Sequence, residues 1–138
     1  MKKGHLSKDI ETILQSFNIL YHDALLDDIE NMLSKSGNEL KFYSLFLSRI
    51  TMLEQSGYNL IISPNKNFEH LTNEENLYSI HINIKKNAYR ILFSFLNDGT
   101  LLLTGFTERS GKKNTDYTNA KSIARQRLYE FRRIENGY

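Results

Sequence analysis

The chain contains no cysteine, and this absence excludes disulfides, thiolate nucleophiles and sulfur-ligated metal sites together. It also makes the cytoplasm the simplest expected location. No apolar run approaches the roughly 18 residues that a membrane-spanning helix needs. The first residues, MKKGHLSKDIE, lead into acidic side chains and not into an apolar run, so we expect no secretory signal.

Histidines are few and scattered. None of the four, His5, His22, His70 and His81, lies three to five positions from another, and no HExxH spacing exists. We therefore expect neither a structural metal nor a cofactor.

Charge is distributed unevenly along the chain. The formal net charge is only +2, but residues 1–77 carry a balance of −4 and residues 78–138 a balance of +6. The basic half favours contact with phosphate, while the acidic half can serve solubility or meet a basic partner.

The length and the hydrophobic content of 40% are ordinary for one soluble domain. We assign residues 1–16 to a polar N-terminal extension and residues 17–138 to a single domain. The only proline, Pro64, stands in ISPNKNFEHLTNEEN, which we interpret as a loop that ends a helical region.

Before that loop, residues 17–21 have the composition of a strand. Apolar residues then recur at helical spacing in two stretches. The first begins after a plausible cap, Asp23, and stops near Gly37, and the second runs from Leu40 to a terminating Gly57. The short connection between them predicts an antiparallel helix pair.

After the loop, the pattern predicts three meandering antiparallel strands at residues 77–84, 89–96 and 100–106. Asn97-Asp98-Gly99 predicts a tight hairpin because glycine takes the positive φ that such a turn requires. Lys85-Lys86-Asn87 predicts a second tight connection.

Strand parity sorts the side chains of these strands onto two faces. In residues 77–84, Tyr78 belongs to an apolar face and His81 to a polar one. Arg90 projects to the same polar face as His81, whereas Tyr89 points inward and is expected to belong to the core.

The last helix begins near Asn114 or Thr115 and has a basic polar face. Its expected apolar positions are Ala120, Ile123, Ala124, Leu128, Phe131 and Ile134. The predicted order is β-α-α-β-β-β-α, an α+β domain in which the helices pack on one face of a small, mainly antiparallel sheet.

Three motifs in the basic half carry a family resemblance. They are Leu77-Tyr78-x-Ile80, Tyr89-Arg90-Ile91-Leu92-Phe93, and Gly105-Phe106-Thr107-Glu108-Arg109-Ser110 with Lys112, followed by Ala120 in a helix. Together with the order of elements, they resemble the RelE/ParE superfamily of bacterial toxins, in particular its HigB-like, phage-associated branch. The resemblance implies a RelE-like fold and the toxin of a type II toxin-antitoxin module, bound and neutralised by a HigA-like helix-turn-helix antitoxin.

The resemblance also implies an activity, namely metal-independent cleavage of mRNA on the ribosome, which inhibits translation. In that chemistry the ribose 2′-hydroxyl loses a proton and attacks the adjacent phosphate, so the protein supplies a proton acceptor, cations and a proton donor. Two alternatives stay open. One is a gyrase inhibitor without nuclease activity, as in the ParE branch, and the other is an inactive phage-derived remnant.

Candidate site residues follow from the motifs and from parity. Arg90 is interpreted as a phosphate clamp or, alternatively, as a structural salt bridge with Glu108 or another acid. The imidazole of His81, with a usual pKa of ~6.5, suits proton transfer. Glu108 is expected to pair with Arg109 or Lys112, to point outward, or to mark a different active-site arrangement.

The predicted catalytic residues are Arg90, His81, Arg109 and Lys112. The RNA-binding set is Lys85, Lys86, Lys113, Tyr117, Lys121 and Arg125.

Overall fold

A computed structural model of the chain describes residues 5–62 and 65–135, so Pro64 lies outside the described residues. Its helices are α1 (His5–Ser16), α2 (Leu25–Leu33), α3 (Glu39–Ser56), α4 (Asn59–Ile62) and α5 (Lys113–Glu135). Its strands are β1 (Ile19–Tyr21), β2 (Phe68–His70), β3 (Tyr78–Ile84), β4 (Asn87–Leu96) and β5 (Gly99–Glu108). The α+β class is confirmed. The order of elements differs from the predicted one, because it also contains the helices α1 and α4 and the strand β2.

The five strands form one sheet in the order β1-β5-β4-β3-β2. The strands β3, β4 and β5 make the predicted antiparallel meander, β2 adds an antiparallel edge strand, and β1 pairs with β5 in parallel. The register places His81 directly opposite Arg90 and Ala88 opposite Glu108. Residues from three different strands therefore meet on one face of the sheet.

Both tight connections of the meander form. Lys85, between β3 and β4, takes a φ of 56°. Between β4 and β5, the turn consists of Asn97 and Asp98, and Gly99 is already paired with Leu96. Gly99 does not have a positive φ. The hairpin is therefore confirmed, whereas the reason we gave for it is wrong.

Helices cover both faces of the sheet, which corrects the prediction of a single covered face. Tyr89 and the even-numbered side chains of β3 pack into one cluster with α1, α2 and α3. Leu92, Leu101 and Leu103 pack into a second cluster under α5. Strand side chains alternate between faces, and here both alternating sets are largely buried. The face that carries His81 and Arg90 is thus the face under α5.

The segment assigned to the N-terminal extension contributes to the larger core. Within α1, the side chains of Leu6, Ile10, Ile13 and Leu14 are buried in the same cluster as α2 and α3. α1 packs against both of those helices, which make only marginal contact with each other. The predicted antiparallel pair of α2 and α3 is therefore wrong.

Of two helix ends predicted from local sequence, one is correct and one is wrong. α3 ends as predicted at Gly57, which takes a φ of 52° and donates its backbone N–H to the Leu53 carbonyl. The predicted cap of α2 is wrong, because Ala24 occupies the capping position and no side chain caps the helix.

The stretch that we interpreted as a loop contains β2. Its three residues, Phe68, Glu69 and His70, pair with β3, and Glu69 lies opposite Ser79 on the face under α5. A strand of three residues is too short for a periodic pattern to reveal it. The edge strand supplies a carboxylate to the site described below.

α5 begins at Lys113, one residue before the predicted start. Tyr117, Ala120, Ala124 and Leu128 form its buried side. Ile123 and Ile134 are exposed, at 44% and 79%, so their assignment to the apolar face is wrong. Alanines at two successive turns of the buried side let the helix lie close to the sheet.

Candidate functional site

The face of the sheet under α5 carries a row of four ionisable side chains across four strands. Glu69 of β2 is followed by His81 of β3, Arg90 of β4 and Glu108 of β5. The row begins and ends with a carboxylate. The row forms two pairs, because Glu69 contacts His81 and Arg90 contacts Glu108.

Hydrogen bonds to three other residues hold the Arg90 guanidinium in place. Its Nε lies 3.0 Å from Glu108 Oε1, and its Nη1 donates to Asn83 Oδ1 at 2.8 Å and to the Tyr89 carbonyl at 3.0 Å. The residue is only 7% exposed. The salt bridge with Glu108 that we considered as the alternative role of Arg90 is confirmed, so Glu108 neither pairs with Arg109 or Lys112 nor points outward.

His81 lies on the predicted face, next to Arg90, with its Nε2 3.1 Å from Glu69 Oε1. Burial lowers the pKa of His81 below its usual value, and the charge of Arg90 lowers it further, while Glu69 acts in the opposite direction. The imidazole is therefore mainly neutral at pH 7. Because a carboxylate only accepts hydrogen bonds, the neutral tautomer that fits this contact carries its proton on Nε2.

Tyr117 brings a phenol from the start of α5 onto the same face. Its ring packs edge-on against Phe106, with the ring centroids 5.1 Å apart. Within the described residues, neither its hydroxyl nor the buried Ser79 Oγ has a hydrogen-bond partner of acceptable geometry. Burial raises the pKa of Tyr117 to about 12, against a smaller opposing effect of the Arg90 charge. The phenol therefore stays protonated at neutral pH, with its hydroxyl closed off from solvent.

The loop before α5 is held by Arg109 and Asp116. The guanidinium makes three contacts with the carboxylate, Nη2 to Oδ1 at 2.6 Å, Nε to Oδ1 at 3.1 Å and Nε to Oδ2 at 3.2 Å. The Arg109 backbone N–H also donates to Oδ2 at 2.8 Å. The hydrogen bonds from Arg109 lower the pKa of Asp116. Arg109 therefore fixes the loop, whereas Lys112 is exposed on it.

A cleft of about 260 Å³ opens between α5 and the β2 edge of the sheet. Its lining consists of Glu69, Leu71, Thr72, Lys113, Asn114, Tyr117 and Lys121. Lys113 Nζ lies 6.0 Å from the centroid of the Tyr117 ring, and Lys121 Nζ lies 3.4 Å from the Thr72 carbonyl. The cleft thus combines two ammonium groups, one carboxylate and the first turn of a helix.

The structure brings some of the predicted site residues together and separates others. Arg90, His81 and Tyr117 share the face under α5, and Lys113 and Lys121 line the cleft beside it. Lys85 and Lys86 are exposed in the β3–β4 turn. The register places that turn beside the end of β5 and the loop of Arg109 and Lys112.

Arg125 forms an ion pair with Glu74 in the segment after β2. Tyr117 is only 7% exposed, so its ring is packed inside the protein and is not presented as an open stacking surface.

Glu69 and Asn83 are the site residues that sequence reasoning missed. Glu69 stood in the presumed loop, and its pairing with His81 depends on the unpredicted strand β2. Asn83 was placed on the polar face, but its contact with Arg90 is diagonal across two strands. A period-2 pattern identifies a face, and it does not identify which neighbours meet on that face.

No family model, curated protein or solved structure that was compared with the chain matches it. In the part of the chain that the structure describes, no helix is both long and apolar enough to cross a membrane. Residues 5–62 and 65–135 also contain no group of three or more His, Asp or Glu side chains placed to share a metal ion.

Proposed function

We propose that the chain is a toxin of the RelE/ParE type, of the HigB-like branch, and that it inhibits translation by cutting mRNA on the ribosome. The observation that carries the proposal is the cleft at the start of α5. There, Lys113, Lys121 and Tyr117 lie close to His81 and Arg90, which face each other on the adjacent strands β3 and β4. Single-stranded RNA is recognised through its phosphates and its unstacked bases, and a cationic cleft of this kind accommodates both.

The groups around the cleft meet the needs of 2′-hydroxyl attack on a phosphate. Neutral His81 and the Glu69 carboxylate are proton acceptors, and the lysine ammonium groups are donors. The lysines also stabilise the charge that accumulates on the phosphate in the transition state. Exposed Lys112, Lys85 and Lys86 extend the cationic surface at the end of the sheet and can position the RNA backbone.

Arg90 takes part in this reaction only after a rearrangement. Its guanidinium is occupied by Glu108 and Asn83, so an RNA phosphate has to displace the Glu108 carboxylate before it can contact Arg90. Lys113 and Lys121 need no such displacement to reach solvent-exposed RNA. They can therefore contact a phosphate without a prior rearrangement.

Controlled expression of the chain in a bacterial host tests the proposal. We expect growth to stop, and we expect new 5′-hydroxyl ends inside the coding regions of messages. A reporter message with a mutated start codon should stay intact, because cleavage on the ribosome requires translation. The variant that replaces Lys113 and Lys121 with alanine should lose most of the effect. The double variant Lys8→Ala with Lys41→Ala, which removes two exposed lysines from α1 and α3, is the matched control.

The same experiment separates the alternatives. Growth arrest with intact messages and relaxed plasmid DNA would support an inhibitor of gyrase. Normal growth with soluble, folded protein would support an inactive remnant, and in that case Arg90→Ala and the unchanged chain would be equally harmless.

The proposed partner is a small helix-turn-helix antitoxin of the HigA type. Coexpression of such a protein from a neighbouring reading frame should restore growth and should yield a complex that copurifies with the toxin. Restored growth without complex formation would argue against direct neutralisation.

A further inference from the structure

Among the four members of the ionisable row, Glu69 is the most accessible from the cleft. Its side chain is 41% exposed and lines the cleft, whereas the side chains of His81, Arg90 and Glu108 are 20%, 9% and 19% exposed. A substrate in the cleft therefore meets the Glu69 carboxylate before it meets the imidazole. Lys113 and Lys121 line the same cleft, so the phosphate would be bound beside this carboxylate.

His81 orients the carboxylate of Glu69. The 3.1 Å contact joins Glu69 Oε1 to His81 Nε2, and a single donor on one oxygen leaves the other oxygen available to a substrate. His81 is anchored in the middle of β3, opposite Arg90, and is therefore a rigid support for a side chain on an edge strand. A base held in this way needs less reorganisation when the substrate binds.

We infer that Glu69 is the proton acceptor of the cleft and that His81 is the positioning residue that orients its carboxylate. The inference rests on the proposed function. In the step, Glu69 takes the proton of a ribose 2′-hydroxyl, and the 2′-oxygen forms a bond to phosphorus. The bond from phosphorus to the 5′-oxygen breaks, and that oxygen takes a proton from a lysine ammonium of the cleft or from water. The products are a 2′,3′-cyclic phosphate end and a 5′-hydroxyl end.

A carboxylate beside a phosphate costs binding free energy, and two cations offset this cost here. Lys113 comes from the first turn of α5 and Lys121 from two turns later, so the cleft carries both ammonium groups along one wall. Removal of the Glu69 charge should consequently leave RNA binding intact or make it tighter, while it abolishes proton transfer. This opposite effect on binding and on cleavage is what distinguishes a catalytic carboxylate from a structural one.

The test compares Glu69→Gln, Glu69→Ala and the unchanged chain in a translating extract, with cleavage rates from mapped message ends. We expect Glu69→Gln to cleave about 10² to 10⁴ times more slowly, the usual contribution of a general base. Binding to a short single-stranded RNA should not weaken. Added formate should partly restore cleavage by Glu69→Ala, since a small carboxylate can fill the vacated site. Glu75→Gln, an exposed residue of the same segment, is the control.

His81 is tested in the same assay. His81→Gln retains an N–H donor near the position of Nε2 and should keep much more activity than His81→Ala, with equal RNA binding by both. If the unchanged chain cuts messages and Glu69→Gln cuts them equally fast, the inference fails and the proposed function stands. If the unchanged chain cuts no message under any condition, the proposed function itself fails. Loss of binding together with loss of cleavage in Glu69→Gln would also overturn the catalytic role.

Discussion

Arg90 Nε and Glu108 Oε1 lie 3.0 Å apart on adjacent strands, beneath α5, with side-chain exposures of 9% and 19%. The two residues are 18 positions apart in the chain and meet because β4 and β5 form a hairpin. Most of the water that would solvate either charge is excluded. Each partner therefore depends on the other to compensate the cost of its burial.

A double-mutant cycle should reveal this dependence. Glu108→Leu leaves the Arg90 guanidinium buried without its carboxylate, and we expect it to lower the free energy of unfolding by about 3 kcal/mol. Arg90→Met combined with Glu108→Leu should cost less than the sum of the two single changes, because no charge is then left unpaired. Urea unfolding monitored by circular dichroism measures all four proteins. Additive effects within about 0.5 kcal/mol would show that the pair is not coupled.

Strand parity identified the faces of β3 and β4 correctly because the side-chain period of a strand is a local property. It placed His81 and Arg90 together and Tyr89 in the core, and the structure agrees. The contact between Arg90 and Glu108 required more than parity. It depends on the relative register of two strands, which the hairpin turn fixes.

The position of α5 was the larger error, and its cause is also physical. The basic residues of the helix identified its solvent side, but no local pattern states which face of a sheet a helix covers. The packing of Tyr117 and the alanines of α5 against Leu101 and Leu103 of β5 decides this, and that contact is not local in the sequence. Since the cleft forms where α5 meets the β2 edge, it could not be predicted without both elements.

The burial of His81 should appear in the pH dependence of stability. Burial and the charge of Arg90 lower the pKa of His81 in the folded chain, so below ~6.5 the unfolded chain binds more protons than the folded one. Stability is therefore highest above that pH and decreases as the pH falls through it. We expect the stability difference between the unchanged chain and His81→Gln to shift in favour of the variant between pH 7.5 and pH 5.5.

Urea unfolding at the two pH values measures this shift, and NMR titration of the imidazole follows the same proton directly. A constant difference between the two proteins, or an imidazole that titrates above its usual pKa, would contradict the burial argument. The second outcome would indicate that the Glu69 carboxylate outweighs burial and Arg90 together.

The buried hydroxyl of Tyr117 leads to a prediction about stability. Within the described residues it has no hydrogen-bond partner, so Tyr117→Phe removes an unsatisfied polar atom and keeps the packing against Phe106. We expect a change within about 1 kcal/mol, in the direction of higher stability. Tyr117→Ala removes the ring as well and should cost about 3 kcal/mol. A large loss of stability in Tyr117→Phe during thermal or urea unfolding would mean that the hydroxyl is satisfied in solution.

The lysines of the cleft should control how RNA binding responds to salt. If Lys113 and Lys121 each contact one phosphate, the affinity for a short single-stranded RNA falls with added salt, with a slope of about −0.7 per contact on logarithmic axes. Each alanine variant should therefore bind more weakly at low salt and should reduce the magnitude of the slope by about 0.7. Fluorescence anisotropy at several salt concentrations gives both quantities.

Lys41→Ala supplies the comparison, because Lys41 is exposed on α3, and α3 packs on the opposite face of the sheet. It carries the same change of net charge and should leave the slope unchanged. A uniform loss of affinity in all three variants would mean that the total charge of the chain attracts RNA without a defined site. A reduced slope confined to Lys113→Ala and Lys121→Ala requires that phosphates sit at the cleft, because counterion release counts only the contacts that are formed.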